Sequence, residues 1–291
     1  MSIRYQYMRF PKGKIKAVTF SYDDGVSQDI RLADIFCKYG VKATFNLNSR
    51  MMGPAASGRS KLTPAEVKEH ILGKGHEVAI HGANHRAPLK QRPIQAIRDE
   101  LDCRIQLEEM FDRIIRGMAY PDTGIIKYTS GSVRYDELRQ YLSALDIAYA
   151  RTLGGDNDGF ELPEDWFAWM PTAHHDNRRI MEFIDKFLSI KEGRSYPSRL
   201  TPMLFYTWGH SYEFDNNNNW DHIEEVCQKL GGKDDTWYAT NIEIYDYVKA
   251  YESLIYSADG SKVYNPTLQT VWFWADGTMY EVKSGETIVI G

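Results

Sequence analysis

The chain has 291 residues, of which 43% are hydrophobic and 26% charged, an ordinary globular composition that fits one large domain or one with a small appendage. A net charge of −5 gives no electrostatic footing for nucleic-acid binding. No stretch reaches the roughly 18 apolar residues of a membrane span, so neither nucleic acid nor membrane is expected as a partner.

From about Lys14 onward short apolar runs alternate with helical patterns. Ala17-Val18-Thr19-Phe20 is β-prone and runs into Asp23-Asp24-Gly25. Ser27 is a candidate cap for a helix presenting Ile30, Ala33 and Phe36 on one face, with Gly40 ending it. Lys42–Leu47 reads as the second strand. Thr63-Pro64-Ala65-Glu66 is a capping box with proline in the first turn, and Glu77–Ile80 is a third strand that ends at His81. The rhythm continues with a helix near Ile94–Phe111, a strand at Gly117–Tyr120, a helix at Val133–Leu145 and a strand at Ile147–Arg151. Further strands are expected at Phe167–Met170, Met203–Trp208 and Trp237–Thr240, with helices near Arg178–Ile190, His222–Leu230 and Ile242–Leu254. Seven or eight β-then-α units predict an α/β fold, a parallel sheet rolled into a distorted (β/α)7-8 barrel spanning residues 1–254. After Leu254 the texture changes. Asp259-Gly260 and Asp276-Gly277 are hairpin turn signals, and Val271-Trp272-Phe273-Trp274 is an apolar strand that needs a surface to pack on. Residues 255–291 are therefore expected to form a small β-hairpin appendage.

Three cysteines, Cys37, Cys103 and Cys227, are odd in number, far apart and each within an expected helix, which favours reduced thiols. The first 16 residues carry charges and aromatics without an apolar signal core. A cytoplasmic location is the simplest expectation, although a chain with a trimmed leader would look the same. Aromatics make up 13% of the chain, which suits both a sugar-binding cleft and an ordinary core. Oligomeric state is not legible.

The chemistry concentrates in Ser21-Tyr22-Asp23-Asp24-Gly25 and His81-Gly82-Ala83-Asn84-His85. Two imidazoles four residues apart share one face of a helical turn. Together with a carboxylate they leave a divalent cation with open coordination positions, as in hydrolytic zinc sites. The spare carboxylate is then free to take a proton from water. An Asp-Asp-Gly turn alone is usually a turn, and a His-x-x-x-His pair alone is common on surface helices. Both motifs at strand ends, with His210 at the end of another strand, make metal-assisted hydrolysis the favoured reading. His174-His175-Asp176 also has the composition of a metal cluster, but adjacent side chains usually point apart, and loop and cap roles are expected there. No Gly-x-Ser-x-Gly elbow supports a serine hydrolase.

These motifs resemble those of the polysaccharide deacetylases, carbohydrate esterase family four with its NodB-homology domain, over about residues 14–250. Carried over by position, the resemblance makes Asp23 the general base and Asp24, His81 and His85 the ligands of a divalent metal, zinc first, with cobalt or nickel as substitutes. Met203–His210 matches the family's apolar strand ending in histidine, which makes His210 the general acid, a role its ordinary pKa near 6.5 suits. Ala119-Tyr120-Pro121-Asp122-Thr123-Gly124 matches a third motif only in part: Pro121 is kept, but Ala119 stands where an arginine is expected. Arg151, at the end of the next strand, is the leading substitute for orienting the base, with Arg116 behind it. The resemblance assigns the oxyanion donor to the backbone N–H of Asp122 and leaves Trp208 as cleft wall or core. For the carboxylate partner of His210, Asp165 in Glu164-Asp165-Trp166 and Asp176 are both open. The implied function is metal-dependent removal of acetyl groups, N-linked or O-linked, from a saccharide. The alternatives are opening of a non-sugar C–N bond of the cyclic ureide kind, and carbohydrate binding without catalysis on the aromatic tail.

Overall fold

The structure is a computed structural model that describes residues 4–54, 59–122, 124–125, 134–156, 158–193 and 200–291. In chain order, β1 (Gln6–Arg9) precedes β2 (Lys16–Asp23), α1 (Asp29–Lys38), β3 (Ala43–Leu47), α2 (Pro64–Glu66) and β4 (Glu77–Ile80). There follow α3 (Pro93–Phe111), β5 (Gly117–Ala119), α4 (Tyr135–Ala144), β6 (Tyr149–Arg151), β7 (Ala173–His174) and α5 (Ile180–Ser189). The main domain closes with β8 (Met203–Gly209), α6 (Tyr212–Asn216), α7 (Trp220–Leu230), β9 (Thr236–Tyr238) and α8 (Asn241–Glu252).

The central sheet has strand order β6-β5-β4-β3-β2-β8-β7, and every neighbouring pair is parallel. All eight residues of β2 are buried, as a strand covered on both faces must be. β8 runs along one side of it, while β9 lines Lys16–Val18 and β3 lines Phe20–Asp23. The sheet curls. Arg151 bridges to Trp169, and Thr172 donates its N–H to Tyr206, so the segment entering β7 reaches from β6 back towards β8. This is the distorted β/α architecture expected from the alternation.

The helices follow their sequence signals. α1 buries Leu32, Ala33, Ile35 and Phe36. Thr63 and Glu66 form the expected reciprocal capping box, after which the chain continues through a wide turn at Val67–Ile71 and a tight one at Leu72–Lys74. Three details differ from expectation. Ser27 does not cap α1; its hydroxyl meets the Gln28 side chain, and the helix starts at Asp29. The run expected as a strand at Phe167–Met170 is a short 3-10 turn at Trp166–Ala168, capped by Asp165, and the strand falls later, at β7. The local aspartate cap wins over β propensity there. α4 begins at Tyr135; Val133, the expected start, lies outside the described residues.

The tail contains β10 (Ile255–Tyr256), β11 (Lys262–Tyr264), β12 (Val271–Ala275), β13 (Thr278–Val282) and β14 (Thr287–Val289). Both Asp-Gly turns lie between paired antiparallel strands. Val271, Phe273 and Val282 pack with Ala250 and Leu254 of the α8 region, while Trp272 packs beside Tyr247. One partner was not foreshadowed: β1 pairs antiparallel with β12, Gln6 opposite Ala275, so the N-terminal strand belongs to the tail's sheet. All three cysteines are free. No helix among the described residues is long and apolar enough to cross a membrane.

Candidate active site

The C-terminal ends of β2, β4, β6 and β8 deliver Asp23, His81, Arg151 and His210 to one point. Asp23 is the last residue of β2, and its side chain is 3% exposed. The β2–β3 register sets it opposite Asn46, whose Nδ2 donates to Asp23 Oδ1 at 2.8 Å and also to Ser21 Oγ at 2.8 Å. Arg151 Nη2 donates to Asp23 Oδ2, and its guanidinium lies 4.5 Å from the ring centre of Trp208. His81 Nε2 and His210 Nε2 stand 3.9 and 4.0 Å from the same oxygen. Burial pushes the Asp23 carboxyl up; Arg151, then His81, His210 and Asn46, more than offset it, and the group sits below its ordinary value. Arg116 goes elsewhere, to a two-pronged contact with Asp246 at 2.7 Å.

Asp24, His81 and His85 form a second layer of the same site, with one ligand atom from each within 4.8 Å of the others. Asp24 Oδ1 and His85 Nε2 are 3.4 Å apart. The histidine pair does not lie on a helical turn, as its spacing suggested. Residues 81–85 form a non-helical turn in which Gly82 has φ 67° and His85 φ 52°. Glycine suits the positive φ at 82, and a Cβ there would come within 2.9 Å of Asp99 Oδ2. Asn48 clamps the turn through the carbonyls of His81 and Gly82. Asp24 has φ 81°, so two of the three residues hold left-handed conformations that non-glycine residues rarely adopt.

His81 Nδ1 faces the Ala119 carbonyl at 2.8 Å. That contact places the proton on Nδ1 and leaves the Nε2 lone pair free, the tautomer a metal ligand needs. Burial first, then the neighbouring His85, lowers the His81 pKa to about 4 against the pull of Asp23 and Asp24, so the ring is neutral. The donor set of two imidazoles and one carboxylate therefore fits a zinc-like cation. Lys61 adds a local charge: its ammonium donates to the Asp24 carbonyl at 2.8 Å and stands 3.7 Å from Asp24 Oδ1.

His210 follows β8 and is half-buried. Its Nδ1 lies 3.4 Å from Glu213 Oε1, an ion-pair separation rather than a tight hydrogen bond. Burial opposes the charged ring, but contact with Glu213 and the charges of Asp23, Glu213 and Asp24 raise its pKa overall. The nearest carboxylate partner is thus Glu213, which the sequence reading missed, although it sits three residues on, at helical spacing. Asp165 instead caps the 166–168 turn and accepts from Tyr135 Oη. Asp176 stands by His175. Trp208 forms a wall between Arg151 and His174, its ring centre 5.8 Å from that of His210. Pro121 packs beneath the 81–85 turn, 3.3 Å from where a Gly82 Cβ would stand. The side chain of Asp122 points away to an exposed ion pair with Lys90 at 2.8 Å. Asn46, Asn48 and Lys61 carried no motif signal; the first two are polar residues near the end of a buried strand, the one hint the sequence offered.

A curled parallel sheet with its polar cluster at the strand ends defines a distorted β/α domain. Residues 8–141, a little under half of the chain, match the family profile described as polysaccharide deacetylase, the family whose motifs the sequence resembles. A Mycobacterium smegmatis protein assigned as a polysaccharide deacetylase shares the fold, with TM-score 0.54 at 16% identity, over 84% of this chain and 94% of that one. The Streptococcus pyogenes deacetylase PplD, solved with acetate, aligns at TM-score 0.40 and 21% identity over 48% of this chain and 55% of that chain. This chain thus spans little more than half the length of PplD. A family 4 acetyl xylan esterase from Clostridium thermocellum, solved with a cobalt ion, aligns at TM-score 0.46 and 16% identity over 79% of this chain and 91% of that one. No curated protein matches the chain in sequence.

Proposed function

We propose that the protein is a metal-dependent hydrolase that removes acetyl groups from a saccharide. The observation that carries this reading is Asp23, a buried carboxylate kept ionised by Arg151, set between a ligand-type histidine and a protonatable one. Asp24, His81 and His85 would hold the cation, which supplies Lewis acidity to water and to the acetyl carbonyl.

The chain's own groups do the rest. Asp23 accepts a proton from the attacking water, and Arg151 and Asn46 fix which oxygen faces it. The backbone N–H of Asp122 serves the oxyanion that forms on the carbonyl. His210, its proton retained above the usual pH by Glu213 and Asp23, gives that proton to the departing amine or alkoxide. Trp208 and Tyr212, the latter ring 5.1 Å from that of His210, offer flat surfaces for a sugar ring.

The test is acetate release from N-acetylated and O-acetylated saccharides, with zinc or cobalt added and again with chelator. Acetate that chelator abolishes supports the reading, and the responding substrate names the linkage. Bound metal with no acetate from any sugar, but turnover of a non-sugar amide, would replace it with an amidohydrolase. Saccharide binding that survives chelation without turnover would replace it with a binding protein.

A further inference from the structure

Behind His210 lies a second cluster, of which the proposed chemistry uses only Glu213. β7 ends at His174, and the rings of His174 and His175 lie 4.4 Å apart instead of pointing to opposite sides. Their common target is Glu213. His175 is 0% exposed, its ring stacked on Tyr22 and packed against Phe214. It is held there by Gly209, where a Cβ would come within 2.0 Å of His175 Nδ1. Among the described residues, neither ring nitrogen of His175 has a hydrogen-bond partner. An unsatisfied buried polar group is costly, about 1–3 kcal/mol.

His175 Nε2 stands 3.4 Å from Asp176 Oδ1 and 3.4 Å from Glu213 Oε2. These separations are long for N–H···O bonds. They match the spacing of about 3.3–3.4 Å between two ligands of a tetrahedral ion with metal–ligand bonds of about 2.0–2.1 Å. His174 plays a different part. Its Nδ1 accepts the Asp176 N–H at 3.1 Å, which leaves its proton on Nε2, 3.2 Å from Glu213 Oε2. It is therefore a donor that orients the carboxylate, as outer partners of metal ligands do. Burial lowers the His175 pKa, which favours the neutral ring a ligand needs, and the two carboxylates balance a double positive charge. Asp176 and Glu213 keep 32% and 24% side-chain exposure, so a cation has a way in.

We propose that His175, Asp176 and Glu213 bind a second divalent cation of the zinc type, with His174 positioning Glu213. This site is separate from Asp24, His81 and His85 and stands independently of the deacetylase reading.

The experiment is zinc stoichiometry of the metal-stripped 291-residue chain, by calorimetry and by elemental analysis after desalting. The wild-type chain is expected to bind two ions, His85→Ala and Asp176→Asn one each, and the double variant none. Cobalt in the His85→Ala chain should give a visible d–d band that Asp176→Asn removes. Asp176 is partly exposed, and near-UV circular dichroism checks that each variant stays folded. One ion in the wild-type chain, lost in His85→Ala and kept in Asp176→Asn, overturns the second site. One ion lost in Asp176→Asn but kept in His85→Ala supports it and overturns the first instead.

Discussion

Two clusters of histidine and carboxylate stand at the same end of the sheet, Asp24-His81-His85 on one flank of Asp23 and His175-Asp176-Glu213 behind His210. The first is assembled by backbone conformation: left-handed φ at Asp24 and His85, and a glycine at 82. The second is assembled by packing, with a ring wedged between Tyr22 and Phe214 over Gly209. Similar donors can thus be aimed by strain in a turn or by the walls of a core.

The largest break expected is at the shared centre. Asp23→Asn should lower kcat by about 10³–10⁴ while leaving zinc stoichiometry unchanged, because it removes the base and no ligand. Its readout is acetate release beside elemental analysis; wild-type-like turnover would sink the role assigned to Asp23. Next comes Arg151→Met, expected to cost about 10²-fold. Without the guanidinium, burial would push the Asp23 pKa up, so the acidic limb of kcat/KM should move to higher pH, and the loss should be worse at pH 5 than at pH 8.

Gly209→Ala separates the two modes of assembly. The new methyl group collides with His175, so unfolding in urea should show a loss of about 1–3 kcal/mol, with ion binding at Asp24-His81-His85 retained. Glu213→Gln is expected to do least to turnover, about tenfold. Removing the negative charge lowers the raised His210 pKa, so the alkaline limb of kcat should shift to lower pH; an unmoved limb would detach Glu213 from His210.

Much of the first cluster was legible because its residues are sequence neighbours: Asp23 beside Asp24, and His81 four residues from His85. The position of Arg151 followed from strand order, since consecutive parallel strands lie side by side. Glu213 was not legible, although a carboxylate three residues past a histidine is a helical neighbour, because a family expectation of aspartate drew attention upstream. Asn46 reaches Asp23 only through the β2–β3 register, which alternation of apolar runs does not specify. The strand misplaced at Phe167–Met170 shows the same limit: Asp165 capped a tight turn where β-prone residues predicted an extended run.

The pairing of β1 with β12 bears on how the chain acquires its shape during synthesis. Tyr7 must wait for Trp274, so β1 leaves the ribosome long before its partner exists. Meanwhile the β/α units between them are assembled from contacts closer in sequence, and β1 remains an open edge able to pair with another nascent chain. Tyr247, whose hydroxyl donates to the Arg9 carbonyl at 2.6 Å, is available earlier than β12 and gives that edge its first anchor. The clasp closes last, and a ribosome stalled before residue 271 would release a chain whose first strand has no mate.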